Sequence, residues 1–182
     1  MAKLVVVAGG ARSGKSTFAE NLALKASVLP LKPIYLASAT AFDEEMQDRI
    51  DRHQRQRGSQ FRTIEAPHDV ISSLEGVCHG GALLWDCLTI WLSNRMMAQK
   101  EDSFIETELF TIIDGLLERF SEVIVVTNEV GLGIVPESSL GRRFRDLAGR
   151  CHQGLTKRAD EVYFAMMGLR LRLKPAPIEV FS

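Results

Sequence analysis

The segment Gly9-Gly10-Ala11-Arg12-Ser13-Gly14-Lys15-Ser16 constrains this chain more than any other. It follows the pattern G-x-x-x-x-G-K-[ST]. A β-branched run, Lys3-Leu4-Val5-Val6-Val7-Ala8, precedes it, and a helical pattern from Ser16 to Ala26 follows. Buried strand, glycine loop and helix in that order make a phosphate-binding loop. The glycines let the backbone curl so that its N–H groups point inward. Lys15 supplies a point charge for the β- and γ-phosphates, the Ser16 hydroxyl suits Mg²⁺, and the helix adds its N-terminal dipole. Gly9, Gly10, Ala11, Arg12, Ser13, Gly14, Lys15 and Ser16 are therefore read as nucleotide-binding, with Lys15 also catalytic and Ser16 also a metal ligand.

The rest of the chain alternates short β-rich runs with longer helical ones. Further strands are expected at Pro33–Ala37, Ala82–Trp85, Val123–Thr127 and Val162–Met166, and helices at Asp43–Arg57, Phe104–Phe120 and Leu140–Arg158. The last helix is expected to bury Leu140, Phe144, Leu147, Cys151 and Leu155. Strands alternating with helices read as βαβ units. The expected fold is α/β and P-loop NTPase-like, with a mostly parallel sheet and helices on both faces. At 182 residues the chain is expected to form a single P-loop domain over 1–182, its tail 170–182 an edge strand and a loose end.

Composition narrows the partners. The net charge is -1 and the pI about 6.4, so no basic field points to nucleic acid or to a membrane surface. Three scattered cysteines and a start without a targeting signal point to a cytoplasmic protein. The N-K-x-D loop with which small GTPases read guanine does not occur. The D-x-x-G match at Asp146–Gly149 falls inside an expected helix. The length suits a small-molecule kinase.

Ligands of open α/β sheets bind at the carboxyl ends of strands, and two acids fall there. Asp86 ends Ala82-Leu83-Leu84-Trp85 and resembles a Walker-B acid supporting nucleotide and Mg²⁺; a helix cap or a solvated loop acid reads equally. Glu129 opens the segment 129–136, which has the composition of a lid and also of a packed connection. His53 lies with Met46 and Ile50 on the apolar stripe of the 43–57 helix, where a packed histidine and a nucleophile look alike. The neighbouring arginines have acids four residues away that explain them as a solvated face.

Several segments carry a resemblance over Leu4 to about Gly168. They are GGARSGKS at 9–16, YLASA at 35–39, DEEMQDRIDRHQRQR at 43–57, RTIEAP at 62–67, LLWDCLTIWLSN at 83–94, VVTNEVGLGIVPE at 125–137 and GRRFRDLAGRCHQGL at 141–155. Together they resemble the bifunctional adenosylcobinamide kinase / adenosylcobinamide-phosphate guanylyltransferase family of cobalamin biosynthesis. The resemblance implies phosphorylation of the aminopropanol hydroxyl of adenosylcobinamide, then GMP transfer from GTP through a GMP-histidine intermediate. His53 matches that catalytic histidine. Ala37, Ser38, Ala39, Gln54, Arg55, Gln56 and Arg57 match nucleotide-contacting segments, and Glu65 matches an acidic position in the nucleotide site. A carboxylate there suits guanine N1–H and N2–H; a surface strand acid is the plain alternative.

The resemblance also implies ATP and GTP as substrates, adenosylcobinamide and its phosphate as partners, and a homo-oligomer, a trimer. Two other readings remain from the residues alone. One is a monofunctional small-molecule kinase with a structural His53. The other is a regulatory module that uses GTP occupancy to order the 129–136 loop. A covalent guanylate adduct separates the first reading from both.

Overall fold

The computed structural model describes residues 2–27, 31–39, 44, 48, 55, 58–77 and 80–175. Its sheet has seven strands: β1 (Lys3–Gly9), β2 (Ile34–Ala37), β3 (Arg62–Glu65), β4 (Ala82–Asp86), β5 (Glu122–Asn128), β6 (Glu161–Met166) and β7 (Leu169–Lys174). The order is β3-β2-β4-β5-β1-β6-β7. Every neighbouring pair is parallel except β6 and β7. The described helices are α1 (Lys15–Ala26), α2 (Leu88–Met97), α3 (Asp102–Arg119) and α4 (Ser139–Arg158). Glu44, Asp48 and Arg55 are helical, as the 43–57 pattern requires at those positions. This is the α/β, mostly parallel architecture expected of the phosphate-loop chain.

Alternation along the strands builds two cores. Leu4 and Val6, Leu83 and Trp85, and Val123 and Val125 face one side, where Trp91, Leu109, Ile113, Leu147 and Leu155 of α2, α3 and α4 cover them. Val5 and Val7, Leu84, and Ile124 and Val126 face the other side with Ala19 and Ala23 of α1. The two small residues one turn apart on α1 let its backbone approach the sheet closely. Central strands buried on both faces read as continuous apolar runs, which is why β1 and β5 are plain in the sequence.

Two elements lie outside the expected set. Helix α2 buries Leu88, Thr89, Trp91, Leu92, Asn94 and Met96, nearly its whole circumference, so it shows no amphipathic stripe. Strand β3 is an edge strand with three of its four residues exposed, so it shows no apolar run. One expected core position is corrected: Leu140, in the first turn of α4, is exposed, because the helix meets the core further along, where Phe144 packs partly against it and Leu147, Ala148, Cys151 and Leu155 are buried. Leu169–Lys174 form β7, an edge strand antiparallel to β6, and the remainder of the 170–182 tail after 175 lies outside the described residues.

Candidate active site at the carboxyl edge of the sheet

The loop between β1 and α1 has the shape its glycines suggested. Positive φ at Arg12 (55°) and Gly14 (88°) curls the backbone. Such alternating conformations turn successive N–H groups toward one point and make an anion-binding concavity. Gly9 is required by space: a Cβ there would stand 2.3 Å from the Ala165 carbonyl oxygen and 2.8 Å from Ser13 Oγ. Lys15 is buried, and its Nζ donates to the Gly10 carbonyl at 3.1 Å, so the side chain folds back over the loop. The Ser13 Oγ is buried with no hydrogen-bond partner among the described residues. An orphaned donor inside a glycine cradle fits a phosphate oxygen.

Asp86 ends β4 half-buried, and its Oδ2 accepts from the Tyr35 hydroxyl at 2.7 Å. That contact was not read from the sequence, although a tyrosine in a buried strand needs a partner for its hydroxyl and so signals one. The parallel register pairs Ala37 with Glu65 on one side and with Asp86 on the other. Glu65, Ala37 and Asp86 therefore form one row across β3, β2 and β4, with side chains on the face that carries α1. A methyl group between two carboxylates leaves open surface between them. The two acids are two strand spacings apart, roughly 10 Å.

Ser38 is fully buried. Its N–H donates to the Asp86 carbonyl (3.2 Å), its Oγ accepts from Trp85 Nε1 (2.7 Å) and its carbonyl accepts from Asn94 Nδ2 (3.1 Å). These contacts fix the strand end at which Ala37 and Ala39 stand half-buried. Arg55 is exposed on its helix. His53, Gln54, Gln56 and Arg57 lie outside the described residues.

Ser16 and Asp86 are the hard oxygen donors that Mg²⁺ takes, and the ion ordinarily completes its shell with water and substrate phosphates. The described residues contain no cluster of three or more His, Cys, Asp or Glu side chains able to hold a metal by themselves. A site of two protein oxygens that also needs the nucleotide fits this inventory.

The end of β5 is tied to the same edge. Glu129 N–H donates to the Gly9 carbonyl at 3.1 Å. The Thr127 Oγ1 and His152 Nε2 are 2.7 Å apart, and His152 Nδ1 is 3.7 Å from Glu129 Oε2. Thr127 is fully buried, so the hydroxyl end of this series is anchored in the core, while His152 and Glu129 are half-buried. Burial lowers the His152 pKa from its ordinary 6.5, and the Glu129 carboxylate opposes that only in part. A histidine held neutral in the fold stabilises it fully above the unfolded pKa, and that contribution is lost as pH falls below 6.5 toward the lowered value. Acidification from about pH 7.5 to about pH 5.5 is expected to lower Tm, and His152→Asn to flatten that slope. An equal slope in the variant places the titrating group elsewhere.

Beyond Glu129 the loop presents Leu132, Ile134 and Val135 to solvent, at 82%, 96% and 57% exposure. It is thus an open apolar surface and not a packed connection. The buried thiols Cys87 and Cys151 are inert: burial raises both pKa values, that of Cys151 to about 12. A shallow cavity of about 330 Å³ lies between His68–Ile71 and α3, and it contains none of the residues singled out in the sequence. His68 is exposed.

A phosphate loop on β1, a strand-end aspartate on β4 and an open carboxyl edge define a P-loop nucleotide-binding fold. The particular family follows from sequence comparison. Residues 5–173 match the model of the family described as cobinamide kinase / cobinamide phosphate guanyltransferase. The chain is 38% identical over 174 residues to the bifunctional adenosylcobalamin biosynthesis protein CobP of Pseudomonas aeruginosa, covering 95% of this chain and 98% of that protein. It is 33% identical to the bifunctional adenosylcobalamin biosynthesis protein CobU of Escherichia coli and 34% identical to that of Salmonella typhimurium, covering 94% of this chain and 99% of each. The chain belongs to the cobinamide kinase / cobinamide phosphate guanyltransferase family and is a bifunctional transferase with that pair of activities. Among solved structures, a KaiC-like protein from Pyrococcus horikoshii matches with TM-score 0.49 and 15% identity over 89% of this chain and 70% of that one. The flagellar accessory protein FlaH of Methanocaldococcus jannaschii matches with TM-score 0.47 and 13% identity over 98% and 82%. No described helix is long and apolar enough to cross a membrane.

Proposed function

We propose that this chain phosphorylates the aminopropanol hydroxyl of adenosylcobinamide and then attaches GMP to the new phosphate. The observation that carries the reading is the placement of the phosphate loop and the Glu65–Ala37–Asp86 row on one sheet edge. In the kinase step the acceptor hydroxyl attacks the γ-phosphorus and the bond to the bridging oxygen breaks. Lys15 and the loop N–H groups hold the phosphates and stabilise the charge that develops on them. Ser16 and Asp86 would hold Mg²⁺, whose chemistry is to neutralise phosphate charge.

In the second step neutral His53 attacks the α-phosphorus of GTP through a ring nitrogen, and pyrophosphate leaves. A phosphate oxygen of adenosylcobinamide phosphate then attacks the phosphoramidate, and the phosphorus–nitrogen bond breaks to release the histidine. Ala37, Ala39, Arg55 and the Gln54–Arg57 segment line the guanylate. The exposed Leu132, Ile134 and Val135 offer the corrinoid an apolar surface. The enzyme works as a homotrimer in the cytoplasm. Incubation with α-labelled GTP followed by a denaturing gel tests the reading: an acid-labile, base-stable adduct is expected, and its absence leaves only a kinase.

Glu65 is assigned to the guanine edge. It is exposed at the end of β3, one strand from the Ala37 surface. Glu65→Gln is expected to weaken GTP more than ATP by roughly 1–3 kcal/mol, the cost of mispairing a polar edge. Equal losses, measured by titration calorimetry, place Glu65 outside base recognition.

A further inference from the structure

The turn joining β6 to β7 has a feature that the reactions above do not use. Met166 pairs with Leu169, so Met167 and Gly168 form a two-residue hairpin turn. Their φ values are +52° and +78°. Such a turn asks for Asn-Gly or Gly-Gly, because both central residues are left-handed. A methionine there is strained, and this one is 82% exposed, with Met166 at 54% and Leu169 at 75%. The residue is strained and exposed, so it gains nothing from packing within the fold. Strain of this kind gathers at ligand clamps.

The turn abuts the phosphate loop. A Cβ on Gly14 would lie 3.9 Å from Gly168 Cα, and one on Gly9 would strike the Ala165 carbonyl. The hairpin is pinned to the first turns of α1: the Arg170 guanidinium lies 4.7 Å from the Phe18 ring centroid, and Phe18 meets Tyr163 edge-on at 4.9 Å. Strand spacing separates this surface from Glu65. The turn follows β6, one step from β1 or roughly 5 Å, whereas β3 is four steps away on the other side, roughly 19 Å. A nucleotide held by its β- and γ-phosphates on Lys15 carries its base one α-phosphate and one ribose beyond them, and the base can turn to either flank of the loop. On the β6 flank the apolar surface within that reach is the turn, while Leu132, Ile134 and Val135 lie past β5 on the other flank.

We propose that Met167, with Met166 and Leu169, is the platform for the purine ring of the phosphate-donating nucleotide, on the opposite flank of the phosphate loop from the guanine-reading Glu65. A thioether packs against an aromatic ring face and has no donor with which to tell adenine from guanine. The platform therefore takes ATP and GTP alike, and the guanylate read by Glu65 occupies a separate base seat. This inference rests on the phosphate-loop assignment made above.

The test compares wild type with Met167→Asn in the full chain, titrated with Mg²⁺-ATP and with inorganic tripolyphosphate, which has no base. Asparagine suits the left-handed position. The variant is expected to melt at higher temperature, to bind ATP about fivefold more weakly and to bind tripolyphosphate as wild type does. Stability and affinity then move in opposite directions, which a purely structural residue cannot produce. Unchanged ATP affinity overturns the proposal, and so does an equal loss for both ligands. A drop in molecular mass by light scattering with ATP affinity intact makes the turn a contact between copies and also overturns it. Wild-type protein that binds ATP but not tripolyphosphate overturns the phosphate-loop reading and the platform with it. Leu169→Ser, measured identically, guards against an effect peculiar to the turn backbone.

Discussion

His53→Ala is expected to abolish both the labelled GMP adduct and transfer of GMP, while phosphorylation of adenosylcobinamide remains measurable. The asymmetry follows from the chemistry. Transfer of GMP through the enzyme needs a nitrogen lone pair to displace pyrophosphate and hold the guanylate until the acceptor arrives. Transfer of the γ-phosphate passes directly to the acceptor hydroxyl and needs only positioning and charge stabilisation. The wild-type adduct should form faster as pH rises and the imidazole loses its proton. It should be labile in acid and stable in base, the reverse of an acyl phosphate. Covalent GMP on the variant assigns the nucleophile to another residue. Loss of both reactions together with the oligomeric state favours the packing role that the stripe Met46, Ile50 and His53 equally suggests.

Lys15→Ala is expected to depress both activities together, by about 10²–10³-fold, the scale of removing one donor aimed at developing charge. In the ground state the same deletion removes a charge-assisted contact of roughly 1.5–3 kcal/mol from nucleotide binding. The fold should survive. Among the described residues the ammonium bonds the Gly10 carbonyl of its own loop, and α1 is held to the sheet by Ala19 and Ala23. Circular dichroism and Tm of the variant check that part, and coupled assays of the two reactions check the rest. A dead kinase with wild-type guanylylation means the two reactions do not share one phosphate cradle.

These two expectations rest on assignments of different origin. Lys15 is legible locally: strand, loop and helix are contiguous, and the phosphate loop needs nothing from the rest of the chain except a sheet to stand on. His53 is not. Periodicity puts it on an apolar stripe, and only the family resemblance distinguishes a nucleophile from a packed ring.

The sequence by itself determined what short-range physics encodes. The β-branched runs of β1 and β5, the glycine loop and the long helices α3 and α4 each declare themselves within a dozen or so residues, because burial on two faces or on one stripe writes a period into neighbouring side chains. Helix α2 and strand β3 stayed hidden because burial around a whole circumference, or on almost no face, writes none. Only the tertiary structure decided the strand order and the register. Those placed Glu65, Ala37 and Asp86 in one row, joined Tyr35 to Asp86 and Thr127 to His152, and seated the Met167 turn against Gly14. Such contacts join residues far apart in the chain, and each is selected by the packing of the whole sheet, so no stretch of sequence carries its signature.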